Sequence, residues 1–94
     1  MTPVERVQYA RKKRGFTQKD LSAAAGLSNA YVGMLERSLD AERPPEAAHI
    51  ENPSLSVLEK LASALRVPAA WLALGVEPEP DWSESAPDTE RASA

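Results

Sequence analysis

The sequence predicts an all-α fold in which five helices form a compact bundle. Apolar residues recur three or four positions apart in five short segments, the spacing that places them along one face of a helix. Residues that commonly open helices and glycines that commonly end them bracket these segments, namely Thr17, Ser28 and Ser54 at starts and Gly15, Gly26 and Gly75 at ends. Only 5% of the 94 residues are aromatic, so the one modest core that this length allows must be aliphatic.

Three helices are predicted in the N-terminal part of the chain, over residues 4–14, 17–25 and 28–37. Pro3 suits the first turn of the first helix. Thr17 is expected to cap the second helix, with Asp20 three residues later in an acidic variant of the capping box. Ser28 is expected to cap the third helix.

Two further helices are predicted in the second half of the chain. The fourth begins after Ser54 or, because Ser56 with Glu59 offers a second cap, two residues later. Pro68 opens the fifth, in which Trp71 is expected to face the core.

Two segments are predicted to lack regular structure. Residues 38–53 contain three prolines and four acidic residues, which indicates a long acidic loop. Residues 76–94 contain three prolines, six acidic residues and little that is apolar except Trp82, a composition typical of disorder. Trp82 is either an anchor that docks on the fold or an exposed residue of the tail. We therefore expect one domain over residues 1–75, followed by a disordered, acidic, proline-rich tail.

The charge is unevenly distributed along the chain. The formal net charge is −3, yet residues 1–37 carry a net charge of +4 and residues 54–75 one of +1. The acidity lies in residues 38–53, with a net charge of −3, and in residues 76–94, with −5. The N-terminal part of the predicted fold is therefore basic, as in proteins that bind nucleic acids.

The composition also excludes several kinds of site. The chain has no cysteine, which rules out disulfides and thiolate metal sites and fits a reducing cytoplasm. No apolar run approaches the roughly 20 residues of a membrane span, and the N-terminus does not resemble a signal peptide. His49 is the one histidine, and no paired carboxylates or phosphate-binding glycine loop accompany it, so no catalytic, metal or cofactor site is expected.

The second and third predicted helices are joined by a short turn at Gly26-Leu27. In such a unit the second helix crosses the first at a steep angle and leaves its outer face free for a major groove. The crossing needs a small residue midway along the first helix, which Ser22 supplies, and a branched apolar residue inside the second, which Val32 supplies. The pattern favours DNA recognition.

The sequence resembles the phage-repressor (Xre/Cro-type) helix-turn-helix family over residues 4–75, apart from one insertion. The residues that carry the resemblance are Arg11, Gly15-Phe16-Thr17-Gln18, Leu21, Ala24, Gly26-Leu27-Ser28, Val32, Leu35-Glu36-Arg37, Asn52-Pro53-Ser54-Leu55, Leu61-Ala62, Ala64-Leu65, Val67, Trp71-Leu72 and Gly75. The resemblance implies a lambda-repressor-like bundle of five helices, with helices two and three as the unit that reads DNA.

The resemblance also implies roles for individual residues. The positions expected to face base pairs are Asn29, Ala30, Gly33 and Met34. Those expected to contact phosphates are Gln18, Thr17, Ser28, Tyr31 and Arg37, together with Lys13 and Arg14, which lie beside the unit. Arg11 is expected to form a structural salt bridge with Glu36. Among the base positions only Asn29 can make a bidentate contact, for which adenine is the natural partner.

Several of these positions leave an alternative open. Gln18 and the basic run at residues 11–14 can instead form a solvated surface, and Tyr31 can lie flat on the second helix. The sequence also departs from the family where Ser38 and Arg66 replace expected glycines and where the loop over residues 38–53 is longer than usual. A left-handed conformation at either replaced glycine costs about 1 kcal/mol or more.

The sequence thus predicts a bacterial, cytoplasmic transcriptional regulator, a repressor that binds double-stranded DNA through helix three as a homodimer. Pairing is expected because one recognition helix makes too few contacts, at about 1–3 kcal/mol each, to select a site in a genome. The alternative is a protein-interaction module of the same fold with weak or no DNA binding, whose protein partner binds the acidic loop or tail. No membrane association and no enzymatic activity are expected.

Overall fold

The computed structural model describes residues 1–42, 50, 52–76, 80 and 82 of the chain. Within these residues the chain forms five α-helices and no strand: α1 (Pro3–Arg14), α2 (Gln18–Ala24), α3 (Tyr31–Arg37), α4 (Leu55–Leu65) and α5 (Ala69–Leu74). The prediction of an all-α, five-helix bundle is confirmed. No helix in this part of the chain is long and apolar enough to cross a membrane.

The five helices enclose a core that is largely aliphatic. The fully buried large apolar side chains are Val7, Leu21, Val32, Leu35, Leu61, Leu65 and Leu72, and every helix supplies at least one of them. Burying one such side chain completely stabilises the fold by about 1.5–3 kcal/mol. Among the described residues, Trp71 is the only aromatic side chain in the buried core.

Side chains at three helix starts satisfy backbone N–H groups that have no partner within the helix. Thr17 and Ser54 each accept a hydrogen bond from the backbone N–H three residues later, at 3.0 and 3.2 Å. Ser54 rather than Ser56 therefore caps α4. Thr2 and Glu5 form a reciprocal capping box at the start of α1, which was not predicted from the sequence.

The third helix begins three residues later than predicted. Its first residue is Tyr31, its N-cap is Ala30, and no side chain makes a capping hydrogen bond there. Residues 28–30 instead form a turn, in which the N–H of Tyr31 donates to the carbonyl of Ser28 at 3.0 Å. The prediction that Ser28 caps α3 is wrong, because the start of this helix is completed by a side chain from α2.

The two segments predicted to be irregular are only partly described. In the loop over residues 38–53, the described residues form no helix. Of residues 76–94 the structure describes three, so the predicted disorder lies mostly outside the described residues. Trp82 is half-buried and packs edge-on against Tyr9 and Trp71, with ring centroids 5.7 and 5.8 Å away. Trp82 is therefore an anchor on the fold, and its alternative as an exposed tail residue is wrong.

A left-handed backbone conformation occurs at one of the two replaced glycines. Arg66, the C-cap of α4, has φ 59° and ψ 48° and is the only non-glycine residue with positive φ in the described part of the chain. Ser38 has φ −64° and is unstrained. Of the two replaced glycines, only Arg66 therefore carries the energetic cost of a left-handed backbone, about 1 kcal/mol or more.

We predict that Arg66→Gly stabilises the protein. Glycine adopts the left-handed conformation without the steric penalty of a Cβ atom, but it also makes the unfolded chain more flexible. The free energy of unfolding should therefore rise by about 0.5–1 kcal/mol. This corresponds to an increase of several degrees in Tm, which is measured by thermal unfolding followed by circular dichroism.

The matched control is Arg66→Ala, which removes the same side chain but keeps the Cβ atom. This variant should not be stabilised. Equal stabilisation of both variants would show that the arginine side chain, rather than the backbone conformation, causes the effect.

Candidate nucleic-acid interface

The connection between α2 and α3 spans residues 25–30 and is longer than the predicted turn at Gly26-Leu27. Gly26 has φ 74°, and the N–H of Leu27 returns to the carbonyl of Ser22 at 2.9 Å. This is a Schellman motif, which ends α2 and turns the chain away from it. The residues that follow, 28–30, are exposed and lead directly into α3.

The side chain of Ser22 joins α2 to the start of α3. Ser22 is completely buried, and its Oγ donates to the carbonyl of Gln18 and accepts from the backbone N–H of Val32, both at 3.0 Å. The N–H of Val32 lies in the first turn of α3, where it has no acceptor within the helix. Ser22 is thus both the small residue that the crossing requires and the cap that α3 otherwise lacks.

Gly33 leaves room for the side chain of Gln18 from α2. A Cβ atom at this position would lie 3.3 Å from Oε1 of Gln18, which is tighter than ordinary van der Waals contact. Gly33 was expected among the base positions, and it is half-buried. Its place in the packing of α2 against α3 was not predicted from the sequence.

Glu36, in the last turn of α3, is buried between α1 and α2, with 3% of its side chain exposed. Its Oε2 accepts a hydrogen bond from Nε of Arg11 at 2.5 Å. Its Oε1 accepts from Nη2 of Arg11 at 3.0 Å and from the side-chain amides of Gln8 at 3.1 Å and Gln18 at 2.9 Å. Arg11 also donates to the carbonyl of Phe16 at 2.8 Å. The expected ion pair is present, and two amides complete its hydrogen bonding.

The surroundings of Glu36 keep its carboxylate charged. Burial by itself would raise the pKa of Glu36, because it penalises the ionised form. Hydrogen bonds from Arg11, Gln18 and Gln8, together with the positive charge of Arg11, outweigh burial and hold the pKa of Glu36 below its usual value of 4.5. At neutral pH the three helices therefore meet at an ionised carboxylate.

The residues expected to contact DNA divide into an exposed and a half-buried set. The exposed residues are Asn29, Ala30, Ser28, Thr17, Gln18, Lys13 and Arg37, and the half-buried ones are Gly33, Met34, Tyr31 and Arg14. Tyr31 packs against the core, and burial raises the pKa of its hydroxyl. This placement favours the alternative in which Tyr31 lies against the protein.

The acidic loop returns to α3 at Met34. The backbone N–H of Ile50 donates to the carbonyl of Met34 at 3.0 Å, and the side chain of Ile50 packs against the core. The expected base position at Met34 therefore lies beside the loop, whereas Asn29 and Ala30 are exposed in the turn before α3.

Arg14 has a different role from the predicted phosphate contact. Its guanidinium donates to the carbonyls of Leu65 and Arg66 at 2.8 and 3.0 Å and lies 5.0 Å from the ring centroid of Trp82. A cation at this place complements the negative end of the α4 dipole. Because the guanidinium of Arg14 is directed to the end of α4, a structural role accounts for this residue without a phosphate contact.

Arg6 has a comparable role at the end of α5, which was missed in the sequence. It is buried, and its guanidinium donates to the carbonyls of Leu72 and Ala73 at 2.8 and 3.2 Å. A Cβ atom at Gly75 would lie 3.0 Å from Nη1 of Arg6, so this position needs glycine for its space as well as for its φ of 72°. The spacing in the sequence could have indicated this, because Arg6 precedes Ala10 by four residues and so lies on the same, inward face of α1.

We predict that Glu36→Ala strongly destabilises the protein, because it leaves Arg11 without its buried partner. Removal of one member of such a pair costs about 3–5 kcal/mol, which is comparable to the whole stability of a small domain. Thermal and urea unfolding measure the loss. The control is Glu59→Ala, at an exposed position of α4, for which the change should lie within about 0.5 kcal/mol. A wild-type melting temperature for Glu36→Ala would contradict the assignment.

The lowered pKa of Glu36 also predicts a pH dependence. A carboxyl group whose pKa is lower in the folded than in the unfolded protein stabilises the fold fully above its unfolded pKa. This contribution is lost as the pH falls below 4.5 and through the lower pKa of the folded state. The difference in Tm between wild type and Glu36→Gln should therefore narrow over that acidic range. A constant difference would show that the carboxylate charge is not responsible.

Comparison with known proteins identifies the family. Residues 7–72 match the helix-turn-helix family. Two curated relatives, both described as the HTH-type transcriptional regulator SinR, come from Bacillus subtilis (strain 168) and Bacillus licheniformis. Each is 30% identical to this chain over 63 residues, which are 67% of this chain and 48% of the relative. The chain thus spans about half the length of these relatives, and no solved structure matches it. Because the family match covers most of the chain, this protein belongs to the phage-repressor (Xre/Cro-type) helix-turn-helix family, which is not enzymatic.

Proposed function

We propose that this protein is a sequence-specific DNA-binding transcriptional regulator that reads the major groove with α3 and the turn before it. The observation that carries the proposal is the junction at Ser22. This junction fixes the start of α3 against α2 while Asn29 and Ala30 remain exposed. The relatives named as transcriptional regulators support the same function.

The proposed contacts follow from position in the helix-turn-helix unit and from side-chain chemistry. Asn29 makes a bidentate contact with adenine, and Ala30 and Met34 touch thymine methyl groups. Gly33 lets α3 approach the bases without a side chain of its own. The residues proposed to contact phosphates are Thr17, Gln18, Ser28, Lys13 and Arg37. Tyr31 and Arg14 are left out, because Tyr31 packs against the core and Arg14 is directed to the end of α4.

Gln18 has a defined orientation in this scheme. One of the two N–H groups of its side-chain amide donates to Glu36, which fixes the amide at the edge of α2 beside α3. A phosphate contact by Gln18 then costs less conformational entropy, because the side chain is already held in place before DNA binds. Glu36 thus links the stability of the fold to the orientation of a DNA contact.

We also propose that the protein acts as a homodimeric repressor in the bacterial cytoplasm. One α3 supplies too few base contacts for genomic selectivity, and a two-fold arrangement on a palindromic site doubles them. The DNA-binding domain comprises residues 1–75, and residues 76–94 form an acidic tail.

A second candidate function is a protein-interaction module of the same fold. The observation that favours it is the partial burial of two of the four expected base positions, Gly33 and Met34. The salt dependence of DNA binding distinguishes the two functions. A DNA-binding regulator should bind DNA less tightly as salt rises, because its phosphate contacts release counterions. A protein-interaction module should show weak DNA binding or none.

We predict that Asn29→Ala relaxes sequence preference. Loss of a bidentate base contact should cost about 1–3 kcal/mol on the operator, once a genomic-fragment selection has identified it, and almost nothing on random DNA. Because Asn29 does not cap α3, its loss should leave Tm unchanged. Fluorescence anisotropy with both duplexes measures the affinities.

Two variants separate this effect from other losses. Lys13→Gln, at a proposed phosphate contact, should weaken operator and random DNA alike and make the salt dependence shallower by about one unit. Ser22→Ala leaves the buried N–H of Val32 without its acceptor, so it should lower the free energy of unfolding by about 1–3 kcal/mol. If Asn29→Ala behaves like Ser22→Ala, Asn29 supports the fold and does not read a base. If wild type shows no salt-dependent DNA binding, the interaction module replaces the regulator.

A further inference from the structure

Trp82 fixes one point of the acidic tail to α1 and α5. Its ring lies edge-on to Tyr9 and Trp71 at interplanar angles of 79° and 71°, which are favourable aromatic geometries. The guanidinium of Arg14 lies 5.0 Å from the same ring centroid, within the range of a cation–π interaction. Trp82 thus contacts three side chains of the folded domain, although its sequence neighbours have the composition of a tail.

The anchor lies beside the basic end of α1. The Nζ of Lys13 lies 5.4 Å from the ring centroid of Tyr9, so Lys13 and Trp82 contact the same aromatic side chain. Lys12 and Lys13 are both exposed. Lys13 is also a proposed phosphate contact, so the anchor of the tail and part of the proposed DNA surface are neighbours.

Acidic residues lie close to the anchor in the sequence. Asp81 directly precedes Trp82 and Glu84 follows two positions later. Trp82 and Lys13 contact the same ring of Tyr9, so the anchor attaches an acidic stretch of sequence to the part of the fold that carries the exposed lysines. Opposite charges attract most strongly at short range, because salt screens them over about 8 Å at physiological ionic strength.

We infer that the acidic tail, anchored by Trp82, competes with DNA phosphates for the lysines at the C-terminal end of α1. The inference rests on the proposed function, because the ligand that the tail displaces is a nucleic acid backbone. Residues 76–94 carry a net charge of −5, so the tail offers these lysines carboxylates in place of phosphates. If the tail is docked nine-tenths of the time, it lowers the apparent affinity for DNA about tenfold.

Two variants of the full chain test the tail by independent routes. Trp82→Ala removes the anchor and keeps the charge. A second variant, with Glu77, Glu79, Asp81 and Glu84 changed to the corresponding amides, keeps the anchor and removes most of the charge. Each should bind a labelled duplex of random sequence about three- to tenfold tighter than wild type at low salt, as measured by fluorescence anisotropy. The gain should shrink as salt rises, because salt screens the attraction of the tail for lysine.

Lys13 provides the matched control. In a Lys13→Gln background, Trp82→Ala should gain less affinity, because one of the lysines that the tail covers is absent. Lys60→Gln, an equal loss of charge at an exposed position of α4, should leave the gain unchanged. Circular dichroism melting verifies that each variant is folded. The fluorine spectrum of fluorotryptophan-labelled protein, which has only two tryptophans, reports docking of Trp82 without DNA.

The outcomes separate this inference from the proposed function. If wild type binds DNA in a salt-dependent way and neither tail variant binds more tightly, the tail does not compete and the regulator remains. If no variant binds DNA at any salt concentration, the proposed function fails and this inference fails with it, whatever the fluorine spectrum shows. Weaker binding together with loss of a dimer in Trp82→Ala would overturn the inference by showing that Trp82 supports assembly.

Discussion

The carboxylate of Glu36 is the point at which α1, α2 and α3 are fixed to one another. Arg11 and Gln8 reach it from α1 and Gln18 reaches it from α2, so both oxygens accept hydrogen bonds. A buried carboxylate is tolerated only when its charge is paired and its oxygens are bonded, because its desolvation otherwise costs several kcal/mol. The exposed turn before α3 and the side chain of Gln18 keep their places because this condition is met.

The net positive charge of α1 is larger than the positive charge that α1 exposes, because its arginines are bonded within the fold. Arg6, Arg11 and Arg14 are directed to α5, Glu36 and α4, where they bind backbone carbonyls or the buried carboxylate. Arginine suits these positions because its planar guanidinium carries five donors and can bond several acceptors at once. Of the basic residues in α1, this leaves Lys12 and Lys13 exposed. In α1, the acidic tail therefore has only these two lysines to compete for with DNA phosphates.

The start of α3 connects local structure to DNA recognition. Because the helix begins at Tyr31, the proposed readers Asn29 and Ala30 lie in a turn rather than in a helix. Their orientation depends on Ser22, which bonds the first turn of α3 from the neighbouring helix. Further along α3, Gly33 leaves room for the side chain of Gln18 from α2. The geometry of the proposed reading surface is thus set at the crossing of α2 and α3.

The sequence by itself determined the features that depend on neighbouring residues. Thr17 and Ser54 cap their helices by bonding an N–H three residues away, and Gly26 ends α2 by its own backbone freedom. The fold class and the aliphatic core follow from the same local periodicity. The sequence also indicated the pairing of Arg11 with Glu36, but through resemblance to a family rather than through local chemistry.

Tertiary structure decided the features that depend on partners far away in the chain. Ser28 and Ser22 are equally able to accept a hydrogen bond, and only the crossing of two helices selects Ser22 as the cap of α3. Arg14 and Lys13 are adjacent, yet only Arg14 meets the end of α4, 51 residues later. The composition around Trp82 is typical of a disordered tail, and only the structure shows that its ring packs against that of Tyr9. Side-chain chemistry states what a residue can bind, whereas the folding of distant segments determines which partner is within reach.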